Sequence, residues 1–154
     1  MAMTITQDLP KVMSRQVQQG DVRRIMKLAL HMGNLCRKPM GNKTNGALAL
    51  AHIQVEQKDP MRFFVFRGGK VICNPIIVNH THVPVNKEEG CMSFADKPNL
   101  IVQRFHTIEV QYQTIVKVNG EWMLSAPEIQ KVKGLEAQVI QHEIDHFNGK
   151  TIYD

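Results

Sequence analysis

No apolar stretch in this chain approaches the roughly 20 residues that a membrane-spanning helix requires. The first residues, MAMTITQDLPKVM, also lack the apolar core of a secretion signal, so neither a membrane protein nor an exported one is expected. Cysteine is scarce: only Cys36, Cys73 and Cys91 occur, far apart and odd in number. That argues against a disulfide framework and favours a reducing, cytoplasmic setting, with thiols left for packing or metal binding. Aromatic residues make up only 6% of the chain, and there is no repeat or low-complexity tract. Acidic residues are thin at the start. Asp8 and Asp21 alone face Lys11, Arg15, Arg23, Arg24, Lys27, Arg37, Lys38 and Lys43. This basic stretch reads either as a solvated helix face or as an electrostatic footprint for RNA, such as a ribosome surface. No DNA partner is expected.

What is present is enough for one hydrophobic core. The 154 residues are 43% hydrophobic with a net charge of +5, and are read as a single domain over 1–154. Asp21 is a candidate N-cap for a helix from about Val22 to Cys36, because Val22, Ile25, Met26, Ala29, Met32 and Leu35 recur at helical spacing. Residues 37–46 are turn-rich. Strand-like runs follow at Ala47–Val55, Phe63–Val65 and Val71–Val78. Residues Asn86, Glu88, Glu89 and Gly90 read as a loop leading to Cys91. Leu100–Val118 alternates in part, and Asn119-Gly120 signals a type I′ hairpin returning through Trp122 to Leu124. From Lys133 to about Asn148 the period becomes helical again, with Leu135, Val139, Ile140, Ile144 and Phe147 as its apolar stripe and Gly149 at the C-cap. The fold class is therefore α+β: antiparallel or mixed sheets packed around a C-terminal helix, with an N-terminal helix.

The C-terminal helix carries His142-Glu143-Ile144-Asp145-His146, an H-E-x-x-H pattern. Positions i and i+4 share a helix face, so both imidazoles can reach one ion. A divalent metal lowers the pKa of a water in its coordination shell to about 7. Glu143 beside it can act as general acid and base. A carboxylate between two apolar-face positions is costly to bury unless a metal or proton neutralises it. Two histidines are too few for a tight site, so a third ligand is required. Cys91, His52, His106 and the His80/His82 pair are candidates. Cys91 is best placed, after the flexible Gly90. Cys36 and Cys73 read as small core hydrophobes.

Three motifs resemble those of peptide deformylases. Glu89-Gly90-Cys91-Met92-Ser93 is similar to the family's E-G-C-L-S. Gln141-His142-Glu143-Ile144-Asp145-His146 is similar to its Q-H-E-x-D-H, continued by Asn148-Gly149-Lys150. Ala47 to Gln54 lines up with its G-x-G-x-A-A-x-Q. The resemblance spans about residues 20–154. It implies Cys91, His142 and His146 as ligands of one divalent metal, natively Fe(II), with Zn(II), Ni(II) or Co(II) able to substitute. It implies that a water activated by Glu143 attacks a formyl carbon, while Gln54 and the Met92 backbone N–H hold the developing oxyanion. The substrate would be an N-formylmethionyl peptide, with Gly46, Leu48, Gly90 and Met92 as its binding residues and strand-edge addition as its binding mode. Formate would be released. Arg104 is expected to pair with Glu89 and orient the Cys91 loop.

The departures carry their own expectations. The two glycines of the first motif are Ala47 and Ala49 here, and Gly46 is expected to take over the turn. His52 replaces the second alanine and is expected to face solvent. Only eight residues follow His146, so the C-terminal helix that bacterial relatives use at the ribosome is expected to be missing. Docking would then fall to the basic N-terminal helix, and a viral or organellar short form is the expected source. Two other classes stay in view: an H-E-x-x-H metallopeptidase, and a basic ribosome- or RNA-binding module with a structural metal.

Overall fold

The structure is a computed structural model that describes residues 3–154. Its organising element is a five-stranded antiparallel sheet with a helix on each face. Helix α1 spans Val22–Leu35 and α2 spans Gly134–Phe147. The sheet runs in the order β1 (Ala49–Ala51), β2 (Phe63–Phe66), β3 (Val71–His80), β6 (Thr107–Gln113) and β9 (Glu128–Lys133). Two ribbons stand apart from it: β4 (Pro84–Glu89) with β5 (Leu100–Phe105), and the hairpin of β7 (Ile115–Val118) and β8 (Glu121–Leu124).

Side chains alternate across a strand, so β1, β2 and β3 feed two cores at once. Leu50, Phe63, Val65 and Cys73 point to one side and meet Ile25, Met32 and Leu35 of α1. Ala49, Ala51, Phe64 and Ile72 point to the other and join Ile108, Val110, Val132 and the α2 residues Ala137, Ile140 and Phe147. Cys36 and Cys73 are fully buried, and burial pushes both thiols up to about 12, as inert core residues. No helix among the described residues is long and apolar enough to cross a membrane.

The expected helices are present with one difference at each. Asp21 precedes α1, but its carboxylate accepts from the Gln18 N–H and the Arg15 guanidinium instead of capping α1. In α2, Leu135 is 60% exposed, so the buried stripe is Ala137, Ile140, Gln141, Glu143, His146 and Phe147. Gly149 closes α2 with φ +73°, where the Lys150 N–H reaches the Asp145 carbonyl.

The strands differ more. The Ala47–Val55 run yields only three strand residues before turning into a 3-10 turn over His52–Gln54. Residues 86–89 are strand, not loop: polar side chains suit an exposed ribbon whose pairing is set by Val85↔Arg104 and Glu89↔Leu100. The Leu100–Val118 run is three strands, and β9 gave little sequence signal because most of its residues are exposed. The Asn119-Gly120 turn has positive φ at both residues, as a type I′ turn requires.

Candidate metal centre

The chain reaches the site from three directions. The β4–β5 ribbon ends at Glu89 and delivers Cys91 to the start of a 3-10 turn over Met92–Phe94. Helix α2 brings His142 and His146 onto one face. The His52–Gln54 turn, at the end of β1, brings Gln54. Cys91 Sγ lies 3.5 Å from His146 Nε2, and His146 Nε2 lies 3.1 Å from His142 Nε2. One ligand atom from each residue fits within a 4.8 Å group. The other ligand candidates lie elsewhere. His80 stacks on Phe105 at the surface, and neither His82 nor His106 joins the group. His52 is fully buried, contrary to the solvent-facing expectation, because its Nδ1 accepts the Met61 N–H at 3.0 Å and its ring stacks on Phe63.

A buried ionic network holds the first histidine. His142 Nδ1 lies 2.8 Å from Glu89 Oε1. Arg104 grips Glu89 with two 2.8 Å bonds and reaches Asp145 at 2.7 Å. The Arg104–Glu89 pair is thus present, and Asp145 of the helix motif joins it. Burial opposes charge on Glu89, but Arg104 and His142 outweigh it and lower its pKa to about 2. With Nδ1 facing a carboxylate, His142 would keep its proton there when Nε2, which faces the cluster, gives its lone pair to an ion. Gln141 anchors α2 from behind: its amide exchanges bonds of 2.9 and 2.8 Å with the Phe105 backbone.

The electrostatics favour a cation at this point. Burial alone would keep His142 neutral, yet Cys91, Glu89 and Glu143 together raise its pKa to about 10. Burial and the neighbouring His142 hold His146 well below the usual imidazole range. Glu143 is 3% exposed with Oε2 unpartnered, and burial raises it to about 7. A thiol and two imidazoles around one point, with the buried, unpartnered Glu143 carboxyl lining the same cleft, fit a divalent ion, whose charge would take the place of the proton on His142. Among the described residues three candidate ligands converge, and an ion held by them would keep a further position for water or substrate, whereas structural sites are closed by four protein ligands.

Gln54 is 2% exposed. Its Oε1 accepts the Ala51 N–H at 2.9 Å, which aims the amide nitrogen at Ser93 Oγ (3.2 Å) and Cys91 Sγ (3.8 Å). A cleft of about 360 Å³ opens onto the cluster, and Gly46, Leu48, Gly90 and Met92 all line it beside Gln54, His142 and Glu143. Gly46 does take the turn: its φ is +72°, and a Cβ there would lie 2.1 Å from the Cys36 carbonyl oxygen. Leu135, Gln138 and Val139 form the far wall, with Lys43 and Asn99 near Gly90. Sequence reading missed these five. The helical ones were accessible, since 135, 138, 139 and 142 are spaced as one face.

Fold and cluster together define an α+β protein whose H-E-x-x-H helix meets a cysteine in a Cys/His cluster able to hold a metal. The family model for polypeptide deformylase matches residues 4–154, and the chain belongs to that family. Peptide deformylase of Brucella suis biovar 1 is 33% identical over 115 residues, covering 70% of this chain and 59% of the relative. That of Thermotoga neapolitana is 36% identical over 98 residues, covering 60% of this chain and 53% of the relative. The chain thus spans somewhat over half the length of these curated relatives. Among solved structures, the PDF of Vibrio parahaemolyticus bacteriophage VP16T, in complex with actinonin, superposes with a TM-score of 0.77 at 30% identity, covering 97% of this chain and all of that one. Thermotoga maritima peptide deformylase superposes with 0.78 at 26% identity, covering 100% and 97%.

Proposed function

We propose that this chain hydrolyses the formyl group from N-formylmethionyl peptides, and that Cys91, His142 and His146 hold its metal. The observation that carries the reading is the convergence of these three ligand atoms beside Glu143 and Gln54 in one cleft. The ligand set suits Fe(II), Co(II), Ni(II) and Zn(II), and family membership makes Fe(II) the proposed native ion. When bound, the ion supplies Lewis-acid chemistry, making water acidic enough to react at neutral pH.

The chain's own groups account for the rest. Water adds across the formyl C–N bond: its oxygen goes to carbon, giving formate, and a proton goes to the departing amine. Glu143 receives that proton and passes it on, and burial has already brought its pKa near the operating range. The Gln54 amide N–H, with the Met92 backbone N–H, holds the oxygen that gains charge. One such donor contributes about 3–4 kcal/mol to the transition state. Arg104, Glu89 and Gln141 keep α2 and the Cys91 turn in register. Leu48, Leu135 and Val139 offer apolar wall for a methionine side chain, and the peptide is proposed to run along an adjoining strand edge.

The exposed basic side chains Arg23, Lys27, Arg37 and Lys38 have no carboxylate partner among the described residues, which supports contact between the α1 region and ribosomal RNA. The test of the main reading is formate release from formyl-Met-Ala-Ser by protein loaded with Fe(II) or Ni(II). Inhibition by actinonin is expected. Cleavage of internal peptide bonds without formate release would overturn it in favour of a peptidase.

A further inference from the structure

The unexpected burial of His52 has a specific geometry. Its Nδ1 accepts the Met61 N–H, so the neutral ring carries its proton on Nε2. Nε2 lies 2.7 Å from Glu56 Oε2, with the N–H off the line of an ideal hydrogen bond. Glu56 in turn takes the Arg24 guanidinium from α1. Burial keeps His52 neutral, and although burial also disfavours charge on Glu56, Arg24 and His52 keep that carboxylate ionised. One fully buried side chain therefore joins three pieces of backbone: the 52–54 turn, the segment leading into β2 through Met61, and α1 through Glu56 and Arg24.

Gln54 sits on the same three-residue turn, two positions on. The His52 carbonyl accepts both the Val55 and Glu56 N–H groups at 3.0 Å, while the Gln54 carbonyl accepts Thr6 N–H at 2.7 Å. A rotation of the turn would swing the Gln54 amide away from Ser93 and Cys91. His52 itself is not among the residues that line the cleft.

We propose that His52, clamped between the Met61 N–H and the Glu56–Arg24 pair, is a positioning residue that fixes the turn carrying Gln54. It acts through Gln54 and never meets substrate. The inference rests on the deformylase reading, in which Gln54 holds the developing oxyanion.

His52→Leu keeps the volume and removes the acceptor. His52→Asn keeps an acceptor near the Nδ1 position. Both are to be purified with metal loaded and checked for folding by circular dichroism and for metal content. His52→Leu is expected to lower kcat about 10- to 100-fold with KM within about threefold, because displacement of a catalytic donor acts on the transition state. His52→Asn is expected to recover most of that loss, which mere packing would not predict. In a Gln54→Ala background, itself expected to lose about 10²- to 10³-fold, adding His52→Leu should change kcat less than about threefold. Full activity in folded His52→Leu, or additive losses in the double variant, would overturn the positioning role. If Gln54→Ala alone kept full kcat, the oxyanion assignment would fail and the positioning role with it.

Discussion

Removing Arg104 tests whether the buried ionic network is the frame of the metal centre. In Arg104→Ala, Glu89 loses two hydrogen bonds and its main counter-charge while remaining buried, with only His142 beside it. Breaking a buried pair from one side costs about 3–5 kcal/mol. Titration gives a second route to the magnitude. Glu89 has a pKa of about 2 in the fold against 4.5 unperturbed, a gap that corresponds to about 3 kcal/mol of stability. Because the folded value is the lower one, this stabilisation is complete above pH 4.5 and is lost as pH falls toward 2. Without Arg104, burial dominates and the Glu89 pKa rises toward or above 4.5, so this acid-sensitive stabilisation disappears and the variant's deficit must be larger at pH 7 than at pH 4. The second Arg104 partner, Asp145, is 36% exposed and contributes at most about 1 kcal/mol. His142 is then less firmly oriented, and metal affinity is expected to fall about 10- to 100-fold. Urea unfolding of the metal-free protein at pH 7 and pH 4 reads the first effect. Cobalt(II) titration against a chelator reads the second. An Arg104→Ala protein with the parental urea midpoint at both pH values and parental cobalt affinity would refute the network argument.

Three further outcomes are expected. Glu143→Gln should lower deformylation about 10²- to 10⁴-fold. Metal-free, it should also be more stable than the parent by up to about 3 kcal/mol at pH 8, because a carboxyl whose folded pKa is raised from 4.5 to about 7 loses stability as pH rises through that window; equal urea midpoints at pH 8 would contradict this. Gly46→Ala should cost more than about 2 kcal/mol, since it combines positive φ with a Cβ 2.1 Å from a backbone oxygen, and thermal unfolding measures it. Chelation should lower the melting temperature and abolish formate release, with both restored by adding Ni(II) alone.

Much of the site could be read from spacing, because an H-E-x-x-H helix specifies its own geometry: once 134–147 is helical, His142 and His146 must face one point. Cys91 stood out by its place after Gly90, and the Arg104–Glu89 pair was expected through family resemblance alone. Legibility failed where tertiary partners override local preference. His52 is polar and was expected in solvent, but the Met61 N–H gives its Nδ1 a buried partner and the half-buried Glu56 carboxylate lies beside its Nε2. Leu135 fits the helical stripe yet lies at the cleft, because α2 turns that face to the open site. The β4 segment Pro84–Glu89 is polar because its ribbon is exposed, and its strand character comes from pairing with β5.

The proposed ligands come from distant parts of the chain. Cys91 and His146 are 55 residues apart in sequence, and β5, β6, the β7–β8 hairpin, β9 and most of α2 lie between them. An ion held by both would be a cross-link closing that long loop, in a protein whose three cysteines are all free. It would tether the exposed β4–β5 ribbon to the C-terminal helix. The expelled proton, the closed loop and the resistance of that ribbon to proteolysis would then rise and fall together with metal occupancy, making the catalytic ion the clasp of the fold as well.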